Sequence, residues 1–283
     1  MRALFFIVLS VYSQLMMSQM HSLDKLTATL SASASARHAL LENEQFYFER
    51  AFTENDCIHL VYSETATGVS AVTVKICPTQ RTLLYQYTAA GLGPIIQEEL
   101  LAKSAKPHAS ETAQGVVRID FSYLNYKIAL TNYPFTIQGP TGSVEISVDF
   151  NGRNDVFCET IRVAGLAANH GFSPITGQAV TRSSGILKNE SKLSHWSSTI
   201  TLDNCVTGIY PEHNYRVFSA RCDDDKAILQ AKAALDGCID TLPGWQRGIS
   251  PDFAAQYIGP NGNEIRLIER ATGGYVLAVY PGL

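Results

Sequence analysis

Six cysteines constrain the fold of this chain more than any other feature. No two of them are closer than sixteen positions, and no C-x-x-C pair occurs. That spacing disfavours zinc knuckles and thioredoxin-like redox motifs. An even number of cysteines favours a disulfide framework instead, provided that the compartment is oxidising. The six are Cys57, Cys77, Cys158, Cys205, Cys222 and Cys238.

The N-terminus indicates such a compartment. Met1 and Arg2 precede an apolar run from Ala3 to about Tyr12, and polar residues follow, which is the order of a secretory signal peptide. The run is about half of the roughly 20 residues that a membrane-spanning helix needs. A permanent anchor and a buried first strand are the alternatives. We predict a signal peptide over residues 1–20, a flexible leader over residues 21–44, and a secreted, periplasmic or otherwise extracytoplasmic protein.

Two hairpins predict two of the disulfides. Segments 57–63 and 71–77 alternate apolar and polar residues around a Thr-Ala-Thr-Gly loop, which is typical of a β-hairpin. If the strands fold back symmetrically, Ile58, Leu60 and Tyr62 lie on one apolar face together with apolar side chains of the opposite strand. Cys57 then lies opposite Cys77, within disulfide reach. A second hairpin, which turns at residues 210–214, brings Cys205 to Cys222 in the same way.

The third disulfide follows from a helix. Three aspartates at 223–225 precede residues at helical spacing that include Ala231, Leu235 and Ile239, and acidic residues are favourable at a helix N-terminus. Such a helix holds Cys222 and Cys238 roughly 20 Å apart, too far for a bond. Cys158 and Cys238 therefore remain as a pair. Because the aspartates lack the alternating ligands and glycine of a calcium loop, we predict no metal site.

The remaining pattern predicts an α+β fold that is predominantly antiparallel β. Strand candidates at 82–88, 115–123, 127–131, 135–138 and 143–150 are interrupted by one helix at 94–102, which has a proline near its start. We expect a sandwich or an irregular barrel with one inserted helix over residues 45–222. A small helix-plus-antiparallel-sheet unit follows over residues 223–283. Its strands are expected at 253–258, 264–270 and 274–280. In the last hairpin we expect Leu267 near Leu277 and Ile265 near Val279. Trp245 is expected to close the edge of this small core. The length allows one large domain or two.

Charge and motifs exclude several function classes. A net charge of −4, spread without long runs, argues against nonspecific binding of nucleic acid or anionic membrane. The chain has no G-x-S-x-G, H-E-x-x-H, phosphate-loop or dinucleotide-binding motif. We predict no cofactor. Catalytic groups assembled from distant loops leave no local pattern, so enzymatic activity is left open.

Three polar segments hold the candidate site residues. His170 lies in a loop bounded by glycine and proline, where an imidazole acts as a base or a ligand unless it is merely a polar loop residue. Segments 181–185 and 191–196 contain hydroxyls with Arg182, His195 and Trp196. This composition suits contact with a carbohydrate or a protein, unless the segments form a solvated loop. A glycosylation sequon begins at Asn189 in the same stretch.

Three hypotheses follow from these residues. The leading one is an exported, disulfide-bonded module that binds a protein or a glycan through loops between about 165 and 200. The second is a secreted hydrolase that uses His170 or His195 with Asp155 or Asp203 and a nearby serine. The third is a structural component of a cell envelope or virion. Stable membrane insertion is not expected once the signal peptide has been removed.

Overall fold

A computed structural model of the chain describes residues 22–64, 70–88, 91–134, 140–149, 156–183, 191–223, 227–239 and 244–282. The signal peptide predicted at 1–20 and the strand predicted at 135–138 lie outside these residues. The described part forms five α-helices, one short 3-10 turn and two eight-stranded sheets. This architecture confirms the predicted α+β class with predominantly antiparallel sheets.

The helices are α1 (Leu23–Ser31), α2 (Ala34–Asn43), α3 (Leu92–Ala102), α4 (Val156–Ala168) and α5 (Ala227–Ile239), with a 3-10 turn at Ser173–Ile175. The strands of the first sheet are β1 (Phe46–Glu54), β2 (Cys57–Glu64), β3 (Ala71–Ile76), β4 (Gln80–Tyr87), β5 (Lys106–Ala113), β6 (Val116–Tyr123), β7 (Tyr126–Asn132) and β8 (Gly142–Asp149). Those of the second are β9 (Thr176–Ser183), β10 (Ser191–Ser198), β11 (Cys205–Glu212), β12 (Tyr215–Cys222), β13 (Gln246–Arg247), β14 (Ala255–Ile258), β15 (Glu264–Glu269) and β16 (Tyr275–Tyr280).

The chain divides into two compact units. The first contains the described residues of Met1–Phe48, Tyr62–Val74 and Gln80–Phe150, and the second those of Glu49–Val61, Lys75–Thr79 and Asn151–Leu283. Strand order is β1-β2-β3-β4-β8-β7-β6-β5 in the first sheet and β13-β14-β15-β16-β12-β11-β10-β9 in the second. The boundary predicted between residues 222 and 223 therefore falls inside one sheet. The reason is that β16 pairs with β12 on one side and with β15 on the other.

Residues 23–43 form two helices and not the flexible leader that was predicted. Ser22 caps α1, because its hydroxyl accepts the Lys25 N–H at 3.2 Å. Leu23, Leu26 and Leu30 repeat at helical spacing and are fully buried. The α1 helix packs against β4, β8 and α3. This segment is therefore part of the core of the first unit.

A buried arginine holds the corner between the first two helices. Arg37 is fully buried, and its guanidinium donates to the carbonyls of Thr29 at 3.4 Å and Ala32 at 2.8 Å. These carbonyls belong to the C-terminal end of α1, where backbone acceptors lack helical partners. The alanine- and serine-rich stretch at 32–36 thus comprises the connection between α1 and α2, at residues 32–33, and the first residues of α2.

The region 45–222, expected to hold one inserted helix, contains α4 as well as α3. The α4 helix buries Ile161, Val163 and Ala164 and packs against β12, β16 and α5. In the C-terminal hairpin, by contrast, Leu267 pairs with Leu277 and Ile265 with Val279, which confirms the predicted register.

Three disulfides join the pairs expected from the sequence. Cys57–Cys77 and Cys205–Cys222 link neighbouring strands, with Cα atoms 4.3 and 4.2 Å apart. Cys158–Cys238 joins α4 to α5, with Cα atoms 5.3 Å apart. Three such bonds are typical of a protein from an extracellular or otherwise oxidising compartment. Within the described ranges, none of the helices combines the length and the apolar character needed to cross a membrane.

Candidate functional site

One face of the second sheet is buried and the other is open to solvent. Ile209, Phe218 and Val279 lie opposite one another in register and are fully buried. Tyr257 continues this face and donates a hydrogen bond to Asp236 on α5. Helices therefore cover this face. Because successive strand residues alternate between faces, the intervening side chains form the other face, which we call the outer face.

A row of side chains crosses the outer face from β9 to β14. The paired residues occupy adjacent strands, so their side chains are neighbours on a single line. Val180 and Ile258 at the two ends are 36% and 41% exposed, while Tyr210 and Tyr280 in the middle are half-buried. In strand order the row is Val180, His195, Tyr210, Val217, Tyr280, Glu264 and Ile258.

The first aromatic pair of this row rests over a glycine. The rings of His195 and Tyr210 stack with centroids 4.8 Å apart and an interplanar angle of 17°. A Cβ atom at Gly208 would lie 3.0 Å from Tyr210 Cε2 and 3.2 Å from His195 Cδ2. Glycine at this strand position therefore gives both rings room to lie over the backbone. The hydroxyl of Ser194 lies 3.1 Å from His195 Nδ1.

The second aromatic group holds an arginine between two rings. The guanidinium carbon of Arg266 lies 4.1 Å from the ring centroid of Tyr280 and 5.0 Å from that of Phe253. Glu264 accepts a hydrogen bond from Arg266 Nε at 2.7 Å and another from Gln256 Nε2 at 3.1 Å. Burial, and then the nearby Glu212 carboxylate, raise the pKa of Tyr280. The site thus carries donors and acceptors beside its rings.

Small side chains lie beside the aromatic row. Ser197, Gly208, Ser219, Ala278 and Arg266 are register partners in turn across β10, β11, β12, β16 and β15. Between the two aromatic groups, this line consists of glycine, serine and alanine only. Because the rings of His195 and Tyr210 lie over Gly208, the shallow trough between the two aromatic groups has a floor formed by Ser219 and Ala278.

The predicted binding residues do not form one surface. Trp196 is the register partner of the buried Ile209, so it lies on the opposite face from His195. Its ring contacts Arg216, whose guanidinium carbon is 4.3 Å from the ring centroid. The backbone of Arg182 pairs with that of Lys192 at the outermost strand pair. A binding role for Arg182, His195 and Trp196 therefore remains a prediction, and of the three only His195 lies in the aromatic row.

The residues of the hydrolase hypothesis are dispersed. His170 is exposed in the turn after α4, Asp203 is exposed before β11, and Asp155 and Asn189 lie outside the described residues. In the part of the chain that the structure describes, neither His170 nor His195 hydrogen-bonds a carboxylate. In that same part, no group of three or more histidine, cysteine, aspartate or glutamate residues converges on a point where a metal ion could bind.

Sequence reasoning missed Tyr210, Tyr280 and Arg266. Alternation places Tyr280 at an outward strand position, but Tyr210 was expected in the turn at 210–214, whereas β11 continues to Glu212 and the turn lies at 213–214. Their proximity depends on the pairing of β12 with β16, which are separated by more than fifty residues in the chain. No local pattern reports such a pairing.

Comparison with known proteins assigns no relative to this chain, because no family model, curated protein or solved structure matches it.

Proposed function

We propose that this protein is exported and binds a glycan on the outer face of its second sheet. The observation that carries the proposal is the row of aromatic rings beside a trough of small residues. The His195–Tyr210 pair and Tyr280 are separated by two strand spacings, or about 10 Å. That separation suits an extended ligand whose successive rings stack on successive aromatic groups.

The chemistry of the row matches that of a sugar chain. Sugar rings present C–H faces that pack on aromatic rings, and their hydroxyls need donors and acceptors at the ring edges. Glu264, Gln256 and Arg266 supply acceptors and donors beside Tyr280, and Ser219 supplies a hydroxyl in the trough. Aromatic stacking combined with edge hydrogen bonding therefore gives both affinity and orientation.

A glycan fits the outer face better than a protein does. A stable protein interface buries about 800 Å² per partner around an apolar, desolvated centre. On this row the exposed apolar side chains, Val180 and Ile258, stand at the two ends. The centre instead consists of the half-buried rings of Tyr210 and Tyr280 on either side of the buried Val217, with Glu264 beside Tyr280, which an amphipathic sugar chain can cover without leaving charged groups unpaired.

Export is supported by the three disulfides, and the contacts of Ser22 and Leu23 indicate where a signal peptide can be removed. Ser22 caps α1, and the Leu23 N–H donates to Glu99 Oε2 at 2.9 Å. Removal of a signal peptide before Ser22 leaves these contacts intact, whereas cleavage at residues 32–36 would remove α1 from the core. N-terminal sequencing of protein recovered from a secreting host is expected to give a start before Ser22. A start within or after α1 would contradict this part of the proposal.

The glycan proposal is tested with aromatic variants. Purified oxidised protein is screened against cello-, chito-, malto- and xylo-oligosaccharides, and the best ligand is titrated by calorimetry. Tyr210→Ala and Tyr280→Ala are each expected to weaken binding about tenfold, since a lost aromatic contact removes about 0.5–1.5 kcal/mol in addition to buried area. Tyr47→Ala, at a 47% exposed tyrosine of β1, is the matched control and should leave the affinity unchanged.

Two results would contradict glycan binding. One is the absence of heat and of binding for every oligosaccharide tested with correctly oxidised protein. The other is a ligand whose affinity is unchanged in both tyrosine variants, although circular dichroism shows that they are folded. In the second case the ligand binds elsewhere, and the outer face has no role in its recognition.

A further inference from the structure

A cleft on the first sheet is independent of the aromatic row and belongs to the other unit. It has a volume of about 290 Å³ and lies over strands β5 to β8. Asp120, Ala129 and Glu145 are consecutive register partners on β6, β7 and β8. The short Ala129 side chain therefore separates two carboxylates and forms the floor of the cleft between them. Ser147, one outward position along β8, leaves further space beside Glu145.

The charges around this cleft are almost all paired. Arg118 Nε donates to Asp120 Oδ1 at 3.0 Å, and Lys127 Nζ donates to Asp149 Oδ2 at 2.6 Å. The half-buried Glu145 has no hydrogen bond or ion pair with any residue in the described ranges. Glu145 therefore carries a negative charge that the other residues of the cleft leave uncompensated. A ligand that is electrostatically complementary to the cleft carries a positive group.

His108 is aimed at the cleft by a strand irregularity. The register between β5 and β6 shifts between Pro107 and Ala109, so His108 is the extra residue of a bulge. Bulges re-aim a side chain relative to its strand. The Nδ1 atom of His108 lies 3.1 Å from the Lys106 carbonyl, and this contact is a hydrogen bond in the tautomer with the proton on Nδ1. Its Nε2 atom is then an acceptor for an N–H group.

We propose that the cleft over Ala129 binds a ligand through a primary ammonium or guanidinium group, which Glu145 pairs and Asp120 and His108 help to orient. A carboxylate or phosphate would instead face the unpaired Glu145 oxygen atoms at close range. A neutral ligand would leave that charge without a partner. The width of the site, two strand spacings or about 10 Å between the Asp120 and Glu145 backbones, accommodates a single cationic head.

The test compares a charged probe with its neutral isostere. Nα-acetyl-arginine amide is titrated into ¹⁵N-labelled protein at low salt, and amide shifts are followed on β6, β7 and β8. Nα-acetyl-citrulline amide has nearly the same shape without the charge and should bind at least about tenfold more weakly, as expected when a charge-assisted hydrogen bond is lost. Glu145→Gln should weaken the arginine probe by a similar factor and abolish its advantage over the citrulline probe.

Two further variants keep this test specific. Glu98→Gln, at an exposed residue of α3 in the same unit, removes one negative charge away from the cleft and should leave the affinity unchanged. Ala129→Leu fills the floor without altering charge and should block the probe, while circular dichroism confirms that the protein is folded. Raising the ionic strength should weaken binding of the arginine probe only, because screening acts on the ion pair.

The source of the cation is distinguished by two additional probes. Tighter binding of agmatine than of an acetylated Gly-Arg-Gly amide would indicate a small amine or guanidine as the ligand, and the reverse order would indicate an arginine side chain of a polypeptide. Equal shifts from the arginine and citrulline probes, or binding that survives Glu145→Gln, would overturn the proposal. None of these readouts depends on the aromatic row, so failure here leaves the glycan proposal untouched, and the converse also holds.

Discussion

Removal of the Cys158–Cys238 disulfide should destabilise the second unit more than removal of either other disulfide. This bond links residues 80 positions apart, whereas Cys57–Cys77 links residues 20 apart. Loop-closure entropy gives about 4.5 kcal/mol of stabilisation for the long loop and about 3.3 kcal/mol for the short one. We therefore expect Cys158→Ala with Cys238→Ala to lower the free energy of unfolding by about 1 kcal/mol more than the matched Cys57→Ala, Cys77→Ala protein.

The Cys205–Cys222 disulfide changes the expected difference in unfolding free energy only slightly. Cys205–Cys222 lies inside the 80-residue loop and shortens its path to about 63 residues. Because loop entropy depends on the logarithm of length, the shortening reduces the stabilisation by only about 0.2 kcal/mol. Burial acts in the same direction as the entropy, since Cys158 and Cys238 are 6% and 0% exposed and their truncation also removes buried contacts.

The assay is urea unfolding followed by tryptophan fluorescence. Both tryptophans of the chain, Trp196 and Trp245, belong to the second unit, as do the two cystines compared. Trp245 lies against Gly165 of α4, so its emission reports on the helix that the long disulfide anchors. A smaller loss of unfolding free energy for the Cys158/Cys238 protein than for the Cys57/Cys77 protein would refute the reasoning from loop length.

Three further outcomes are expected. Leu26→Ala should destabilise the first unit by about 2–5 kcal/mol in thermal unfolding followed by far-UV circular dichroism, because Leu26 is fully buried on α1. Burial, and then the nearby Tyr133, raise the pKa of Tyr87 to about 12. The stabilisation from its neutral form should therefore be lost as the pH rises from about 10 to 12. Tyr87→Phe should reduce the slope of unfolding free energy against pH in that range. Gly208→Ala should displace the His195–Tyr210 pair and weaken glycan binding several-fold in calorimetry, with about 1–3 kcal/mol of lost stability.

Each of these outcomes has a control and a contradicting result. Leu40→Ala, at a 40% exposed position of α2, should change stability little, and equal losses for Leu26→Ala and Leu40→Ala would argue that α1 is not part of the core. An unchanged alkaline slope in Tyr87→Phe would mean that this hydroxyl titrates normally. Unaltered glycan affinity in Gly208→Ala would show that the stacked rings do not contact the ligand.

The sequence by itself determined the β-hairpins and the covalent framework. Alternation over a few residues sets which side chains of a strand share a face, and a symmetric hairpin brings its ends together, so the first two cystine pairs and the final hairpin register were readable. The third pair followed because a helix of known rise cannot bend back on itself. The hairpin features depend on contacts between residues close in the chain, where backbone geometry leaves few alternatives, and the third pair, 80 positions apart, followed by elimination.

Only the tertiary structure decided which distant elements meet. The division of the chain into two units, the packing of α1 in a core, and the pairing of β12 with β16 all depend on long-range contacts that no short pattern encodes. The candidate sites depend on the same contacts, since the aromatic row requires Tyr210 and Tyr280 to flank β12, and the cleft requires Asp120 and Glu145 to flank Ala129. A strand pattern specifies which face each side chain occupies, but strand order specifies its neighbours, and that order is chosen by the burial of the whole core.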